Sequence, residues 1–269
     1  MTILEREQRR DKVVRLYQEN KSINQISKEL NISWDTVKKD LLLRDITITK
    51  RNNQFQNSNV SNTLFQEIND SNSAYWLGFL YADGSIRKDR NEICLELQEK
   101  DIKAVQDFHK YCNNNNTIRK HIIKRNNKEY VSYVSSFSNQ QVKNNLIKLG
   151  CVPQKSLILT CPTEQQVPQD FIYDFVRGYI DGDGYIQYDF NKHRYRIVIA
   201  GTKDFLVGIM NRCKWFEYCI ITPDKNSNIY TLTLSNKENV LKQLEKLYEN
   251  SYYHLDRKFE IYSKAKLGA

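Results

Sequence analysis

The chain has 269 residues, 40% of them hydrophobic, which is enough to bury a substantial core in one large domain or several small ones. It contains no apolar run as long as a membrane span and no apolar signal segment near Met1, so membrane-embedded and secreted classes are not expected. The formal net charge of +9 favours a polyanionic partner, of which nucleic acid is the commonest. We therefore expect a soluble intracellular protein without a membrane partner.

Residues 1–46 predict a small helical module. Apolar residues recur at helical spacing over Asp11–Asn20, and Ser22 can cap a second helix whose inward face is Ile23, Ile26 and Leu30. Asn31 suits a tight turn because asparagine tolerates positive φ.

A third helix follows the turn at Asn31. Ser33 can cap it, Val37 and Leu41 face inward, and its outward side is polar and basic. Helix, short turn and polar helix are typical of a DNA-binding helix-turn-helix, although a plain helical hairpin has the same pattern. In the DNA-binding interpretation, the outward residues that contact DNA are Trp34, Thr36, Lys38 and Lys39.

Residues 47–72 are polar and rich in Asn and Ser, which predicts a linker. Lys50 and Arg51 could lie along DNA, and a solvated tether is the equally simple interpretation. The linker separates the small module from a large remainder.

The remainder repeats its own landmarks at a separation of about 100 residues, which indicates a domain duplication. Lys100–Asp101 and Ser138–Asn139 follow Asp83 at nearly the spacing at which Lys203–Asp204 and Ser235–Asn236 follow Asp183. Alternating stretches between these landmarks predict strands. Each half is therefore predicted as helix, two strands, helix, two strands and helix, related by a pseudo-twofold axis.

Each half opens with a helix that is apolar around most of its circumference, over Ser73–Asp83 and Phe171–Asp183, which indicates burial. Small residues four positions apart on each helix would let two helix backbones approach closely. The predicted contact residues of this interface are Gly78, Ala82, Gly178 and Gly182.

Packing of the two helices against each other would bring Asp83 and Asp183 together at the negative ends of two helix dipoles. An Asp-Gly pair alone is typical of a helix stop, with Gly84 or Gly184 in the left-handed conformation. Two matched copies favour a site in which a divalent cation is bound by carboxylates and helix-end carbonyls.

The segments "WLGFLYADG" (Trp76–Gly84) and "VRGYIDGDG" (Val176–Gly184) resemble the two motifs of single-chain LAGLIDADG homing endonucleases. The resemblance implies an α+β fold: a pseudo-twofold duplicated αββαββα LAGLIDADG fold with DNA-binding β-saddles, preceded by the small all-α helix-turn-helix domain. The expected divisions are a module at 1–46, a linker at 47–72, repeat 1 at 73–165 and repeat 2 at 166–269.

By the same resemblance, Asp83 and Asp183 hold Mg²⁺ or Mn²⁺, assisted by the carbonyls of Ala82 and Gly182. The earlier motif acid is present as Asp181, whereas Tyr81 replaces it in the first motif. The family also places a basic residue near each scissile phosphate. The candidates are Lys155 and Lys258, which follow their motif acids at similar distances and could stabilise charge on the phosphate or polarise the attacking water.

The strands of the two halves are expected to form two saddles in adjacent major grooves. Basic and aromatic residues on or beside these strands are the candidates for DNA contact, to phosphates or to bases. The candidates are Arg87, Lys88, Arg90, Arg119, Lys124, Arg125 and Lys128 in the first half, and Tyr188, Lys192, Arg194, Arg196 and Lys225 in the second.

These inferences predict a monomeric, metal-dependent endonuclease that cuts both strands of double-stranded DNA at a specific sequence. The resemblance implies a DNA-associated protein of bacterial or phage origin, encoded by a mobile element. Two alternatives on the same scaffold stay open: a DNA-binding regulator that does not cut, and an RNA-splicing maturase. Retention of both motif acids argues against the first, and the helix-turn-helix pattern argues against the second.

Overall fold

The computed structural model describes residues 3–19, 21–46, 48, 59–125, 128–224 and 229–268. The chain divides into two compact units, Met1–Gln54 and Phe55–Ala269. None of the helices in the described ranges combines the length and apolarity that a membrane crossing requires.

The first unit is a three-helix cluster made of α1 (Ile3–Gln18), α2 (Ile23–Leu30) and α3 (Trp34–Leu42). Its buried core is formed by Val13, Leu16, Tyr17, Ile26, Val37 and Leu41. The predicted turn is present, because Asn31 has φ of 50° and ends α2. The first helix begins at Ile3 rather than at the predicted Asp11, and Arg9 of this added segment donates to the buried Asp40 at 2.7 and 3.0 Å.

The segment at residues 59–70 is an integral part of the second unit. Val60, Phe65 and Ile68 are buried in its core, and the amide of Asn145 donates to the carbonyls of Asn62 and Leu64 at 3.0 Å. The prediction of a linker over 47–72 is therefore wrong for residues 59–72, because three well-spaced apolar residues anchor a polar-looking stretch. Residues 49–58, which include Lys50 and Arg51, lie outside the described ranges.

The second unit contains two successive αββαββα halves, as predicted from the duplicated landmarks. The first half comprises α4 (Ser71–Ala82), β1 (Gly84–Ile86), β2 (Glu92–Gln98), α5 (Ile102–Tyr111), β3 (Arg119–Arg125), β4 (Lys128–Ser138) and α6 (Gln140–Lys148). The second comprises α7 (Ile172–Asp183), β5 (Gly184–Asp189), β6 (Arg194–Gly201), α8 (Lys203–Cys213), β7 (Cys219–Pro223), β8 (Tyr230–Ser235) and α9 (Lys237–Tyr248), and it is followed by α10 (Asp256–Leu267).

Each half has one four-stranded antiparallel sheet, in the order β1-β2-β4-β3 or β5-β6-β8-β7. Alternate residues of each sheet are buried against the helices, for example Ile93 and Leu95 in β2 and Ile197 and Ile199 in β6. The residues between them lie on the opposite side, which we call the open face of each sheet. The fold class predicted from the sequence is confirmed.

The junctions between α4 and β1 and between α7 and β5 differ from the expectation. Gly84 does not have a positive φ, and Gly184 is extended, with φ of −91° and ψ of 163°. The predicted left-handed helix stops are therefore wrong. Close approach requires glycine at these two positions: a Cβ on Gly84 would lie 2.6 Å from the Leu80 Cα, and one on Gly184 would lie 2.7 Å from the Ile180 Cα.

Candidate active site at the helix crossing

Helices α4 and α7 pack backbone to backbone in the centre of the second unit. A Cβ on Gly78 would overlap the carbonyl oxygen of Phe175 and lie 2.8 Å from its carbonyl carbon. A Cβ on Gly178 would overlap the carbonyl oxygen of Tyr75 and lie 2.9 Å from that carbonyl carbon. The two contacts mirror each other, and larger side chains at either glycine would force the helices apart.

The same packing continues to the ends of both helices, where the motif acids lie. A Cβ on Gly182 would overlap the Cβ of Ala82 and lie 3.1 Å from Oδ2 of Asp83. Asp83 caps the C-terminus of α4, and Asp183 is the last residue of α7. The structure thus brings Ala82, Gly182 and the two motif acids together at one end of the helix pair.

Both motif carboxylates are harder to ionise than a free aspartate. Burial and the negative charge of Asp183 raise the pKa of Asp83 from 3.8 to about 6, while Lys258 and Lys155 oppose the shift. Loss of hydration also raises the pKa of Asp183, although part of its side chain remains exposed, and Lys155 and Lys258 again oppose the shift. Loss of hydration is therefore the main cost of ionising either acid, and the two lysines offset that cost only in part.

The two predicted lysines approach the carbonyl that follows each motif acid. Lys155 Nζ donates to the Gly84 carbonyl, and Lys258 Nζ donates to the Gly184 carbonyl at 2.7 Å. Lys155 is supplied by a short 3-10 turn, Lys155–Leu157, and Lys258 by α10. Two unrelated local structures therefore deliver an ammonium group to equivalent positions.

Lys258 is more deeply engaged than Lys155. Its ammonium also donates to the carbonyl of Asp181 at 3.0 Å and to the carbonyl of Ile180, so three backbone acceptors match its three N–H groups. Its side chain is only 2% exposed, and burial lowers its pKa to about 8 against the opposing charge of Asp181. All three N–H groups of Lys258 are thus engaged by the backbone, so in this arrangement Lys258 holds the α7–β5 junction. Lys155 is half-buried and keeps access to solvent.

Asp181 and Tyr81 occupy matched positions but make different contacts. The buried Asp181 carboxylate accepts hydrogen bonds from Tyr75 Oη at 3.0 Å, Tyr248 Oη at 2.6 Å and the Leu255 amide at 2.8 Å. The Tyr81 hydroxyl donates to the carbonyl of Leu149 at 2.6 Å. Both side chains are therefore held by hydrogen bonds within the fold, and the Asp181 carboxylate is fully engaged.

A cleft beside Asp83 and Gly182 contains charged residues that the sequence reasoning did not select. Arg257 donates to Asp101 at 3.0 and 3.3 Å across this cleft, which links α10 of the second half to the start of α5 in the first. Two sequence features could have pointed to this pair: Asp101 belongs to a repeated landmark pair, and Arg257 directly precedes the candidate Lys258. Within the described ranges, no three or more His, Cys, Asp or Glu side chains cluster closely enough to hold a metal ion.

The first open face contains part of the predicted DNA-contact set. Arg119 lies there opposite Val134, and its Nη2 donates to Ser136 Oγ at 3.0 Å. Lys128 is exposed at the start of β4. Lys124 pairs with Glu129 at 2.9 Å and has the opposite strand parity from Arg119, so it does not lie on the open face. The side chain of Arg125 lies outside the described part of the structure.

The turn between β1 and β2 presents Arg87, Lys88 and Arg90 as exposed side chains. Their carbonyls all accept hydrogen bonds from the buried Lys143 ammonium, at 2.8, 3.3 and 2.7 Å respectively. Lys143 therefore fixes the backbone of this basic turn.

On the second sheet, Arg194 and Arg196 occupy the open face, and Arg196 Nε donates to Gln187 Oε1 at 3.1 Å. Tyr188 lies on the opposite face from Arg194 and Arg196. Its ring centroid is 4.8 Å from that of Tyr195, and its hydroxyl is buried. Its prediction as a DNA contact is therefore wrong, because strand alternation turns it toward the core. Lys192 lies in the β5–β6 turn, 4.0 Å from Asp189, and Lys225 lies outside the described residues.

In the first unit, the predicted contact residues Trp34, Thr36, Lys38 and Lys39 project from the outward side of α3 and its first turn. Lys38 Nζ lies 3.7 Å from the centroid of the Trp34 ring, and the hydroxyls of Thr36 and Ser33 are 2.8 Å apart. The side chains that were expected to face a partner are therefore accessible.

Comparison with known proteins identifies the fold. No family model matches the sequence, and no curated protein matches it. The homing endonuclease I-WcaI, solved bound to its DNA recognition sequence, is similar over 81% of this chain and 96% of its own, with 14% identity and a TM-score of 0.51. This similarity shows that the second unit has the LAGLIDADG fold.

Two further structural neighbours have lower TM-scores. The LAGLIDADG homing endonuclease I-GzeII, in complex with its DNA target, has a TM-score of 0.49 and 13% identity over 75% of this chain and 91% of its own. Full-length DUF199/WhiA from Thermatoga maritima has a TM-score of 0.44 and 16% identity over 77% of this chain. The chain spans 64% of the length of that protein.

Proposed function

We propose that this chain is a divalent-metal-dependent endonuclease that hydrolyses one phosphodiester on each strand of double-stranded DNA as a monomer. One observation carries the proposal: Asp83 and Asp183 meet at the end of a pseudo-symmetric helix pair, and a lysine lies at the carbonyl after each acid. The fold shared with I-WcaI, a protein solved on its DNA recognition sequence, supports DNA as the partner.

The donor set fits Mg²⁺ or Mn²⁺. Hard cations prefer carboxylate and carbonyl oxygens, which Asp83 and Asp183 and the last carbonyls of α4 and α7, at Ala82 and Gly182, can supply. Loss of hydration is the main cause of the raised pKa of both acids, so ionising the two carboxylates is costly, and a bound cation would offset that cost. Magnesium typically takes one or two protein carboxylates and completes its shell with phosphate and water. When bound, the cation would activate water and neutralise charge on the leaving group.

The residues of the chain would position these groups. The packing of Gly78 against Phe175 and of Gly178 against Tyr75 sets the distance between the helices, and therefore the separation of the two acids. Lys258 holds the α7–β5 junction through three carbonyls and offsets the negative end of the helix dipole. Lys155, which retains access to solvent, is the candidate for direct contact with a phosphate oxygen.

The two open faces would bind the duplex on either side of the cleavage site. Arg119 and Lys128 on the first sheet, and Arg194 and Arg196 on the second, would contribute positive charge, as would the basic β1–β2 turn. The first unit would lengthen the recognised sequence through the outward residues of α3. Because several phosphates would be neutralised, affinity should fall steeply as salt rises.

The test offers a randomised duplex library and Mg²⁺ to the wild-type chain, to Asp83→Asn/Asp183→Asn and to Asp204→Asn. Asp204 is an exposed aspartate in the first turn of α8 and provides a matched control for loss of one carboxylate. We expect specific double-strand cleavage by the wild type and the control, and specific binding without cleavage by the double variant.

Three results would contradict the proposal in different ways. Specific duplex binding without cleavage by the wild type would favour the regulator alternative. Equal cleavage by the double variant would show that the chemistry lies elsewhere. Preferential binding of structured RNA over any duplex would favour the maturase alternative.

A further inference from the structure

The open face of the second sheet carries an apolar row that crosses all four strands. The register pairs Tyr185 with Val198, Val198 with Thr233, and Thr233 with Ile220. We call these four residues the apolar row. Tyr185 is 50% exposed and Ile220 is 62% exposed, so the row is accessible although it lies away from the buried core.

The matched positions of the first sheet have different chemistry. Ser85 pairs with Cys94, and Cys94 with Ser136, where the second sheet has Tyr185, Val198 and Thr233. Beside them, Glu96 Oε1 accepts a hydrogen bond from Ser132 at 2.5 Å, and Arg119 donates to Ser136. Near the helix crossing, the first sheet therefore presents polar groups and the second presents branched and aromatic ones.

Positive charge borders the apolar row, which favours a polyanion over a second protein surface as its occupant. The Arg196 guanidinium lies 5.5 Å from the centroid of the Tyr185 ring, and Arg194 follows on the same face. Four strands spaced about 4.8 Å apart make a row about 14 Å long, comparable with a major groove about 12 Å wide.

The 5-methyl group of thymine is the only apolar substituent that the four base pairs present in the major groove. We propose that the apolar row contacts thymine methyl groups, so that the second sheet recognises a thymine-rich stretch of the target. This inference rests on the proposed function, because it requires the open face to bind duplex DNA.

The experiment uses the full chain in EDTA, so that binding is measured without cleavage. A preferred duplex is first selected from a random library, and each thymine is then replaced by deoxyuridine, which lacks only the methyl group. Loss of one buried methyl should weaken binding about fourfold. We expect penalties of that size at two or more neighbouring thymines within one half of the site.

Two matched variants assign the effect to the row. Ile220→Ala should lose the deoxyuridine penalty at one or more of the sensitive positions, namely those whose methyl group Ile220 contacts. Ile123→Ala removes an isoleucine that is 47% exposed on the open face of the first sheet, and it should retain the full penalty. Both residues are exposed enough for the fold to tolerate the change, which circular dichroism would verify.

The outcomes separate the inference from the proposed function. Specific binding with no deoxyuridine penalty, or with an unchanged penalty in Ile220→Ala, would overturn the thymine assignment alone. A wild-type dimer in light scattering that Ile220→Ala converts to a monomer would assign the row to self-association instead. Absence of any specific duplex binding would reject the proposed function, and the inference with it.

Discussion

Replacement of Asp83 by asparagine should stabilise the metal-free protein at pH 8 while it abolishes cleavage. Burial and Asp183 raise the pKa of Asp83 from 3.8 to about 6, so the folded state binds this proton more tightly than the unfolded chain. Stability of the folded state therefore falls as pH rises from about 4 to about 6, and the loss is complete above that range. A shift of roughly two pKa units corresponds to about 3 kcal/mol, which is the upper limit of the gain expected from Asp83→Asn.

The gain can be measured by urea unfolding in EDTA. At pH 8, Asp83→Asn should exceed the wild type in unfolding free energy by up to about 3 kcal/mol, and the difference should shrink toward pH 4. The Asp204→Asn control should stay within about 0.5 kcal/mol of the wild type at both pH values. Mg²⁺ should raise the stability of the wild type and leave Asp83→Asn/Asp183→Asn unchanged.

Two results would refute this reasoning. The first is a variant that is no more stable than the wild type at pH 8 in EDTA, which would mean that the carboxylate is not held at an electrostatic cost. The second is a gain that does not change between pH 4 and pH 8, which would point to packing or hydrogen bonding by the new amide rather than to removal of charge.

Further predictions concern the helix contact, the lysines and the salt dependence. Gly78→Ala or Gly178→Ala should lower the unfolding free energy by about 3 kcal/mol, because each new methyl overlaps a backbone carbonyl of the partner helix. In the control, Gly268→Ala, the methyl meets no atom within 4 Å. Because Gly268 has φ of 73°, this control should still lower the unfolding free energy by about 1 kcal/mol. A smaller loss in Gly78→Ala than in Gly268→Ala would contradict the close packing. Lys258→Met should lower the unfolding free energy in urea by about 3 kcal/mol, because three carbonyls lose their donor. Lys155→Met should lower the unfolding free energy by less, because only one carbonyl loses its donor. Relative to the stability lost, Lys155→Met should reduce the cleavage rate more than Lys258→Met does. Affinity for a specific duplex, measured by fluorescence anisotropy, should fall by about 10³-fold or more between 50 and 200 mM salt, and a flat salt response would contradict binding through many phosphates.

The sequence was most informative where the two halves repeat each other. Matched apolar helices and small-residue spacing led to the helix pair, and the Asp-Gly ends led to the position of both motif acids, because each depends on local patterns that occur twice. The face on which a strand residue lies was less accessible. Tyr188 is a candidate for DNA contact by residue type, but the register places it on the core side of β5, and a shift of one residue would reverse the face.

Long-range contacts were not predictable from local pattern. The three carbonyl contacts of Lys258 require α10 to return to the end of α7, and sequence spacing gives no direction for that return. The burial of Val60, Phe65 and Ile68 was missed for a related reason, since isolated apolar residues in a polar stretch show no periodicity until a surface is present to receive them.

The unlike contacts of Tyr81 and Asp181 make the two halves non-interchangeable partners. On one side of the helix pair Tyr75 donates to Asp181, and on the other Phe175 packs against the Tyr81 ring at a centroid distance of 4.9 Å. A homodimer of the first half would place Tyr75 of each copy against Tyr81 of the other. A homodimer of the second half would place Phe175 against the buried Asp181 carboxylate, which would then lack the hydrogen bond that Tyr75 donates. If the chain were divided between the halves into two polypeptides, the fragments should therefore assemble as a heterodimer in preference to either homodimer. The α4–α7 contact would then determine which halves associate.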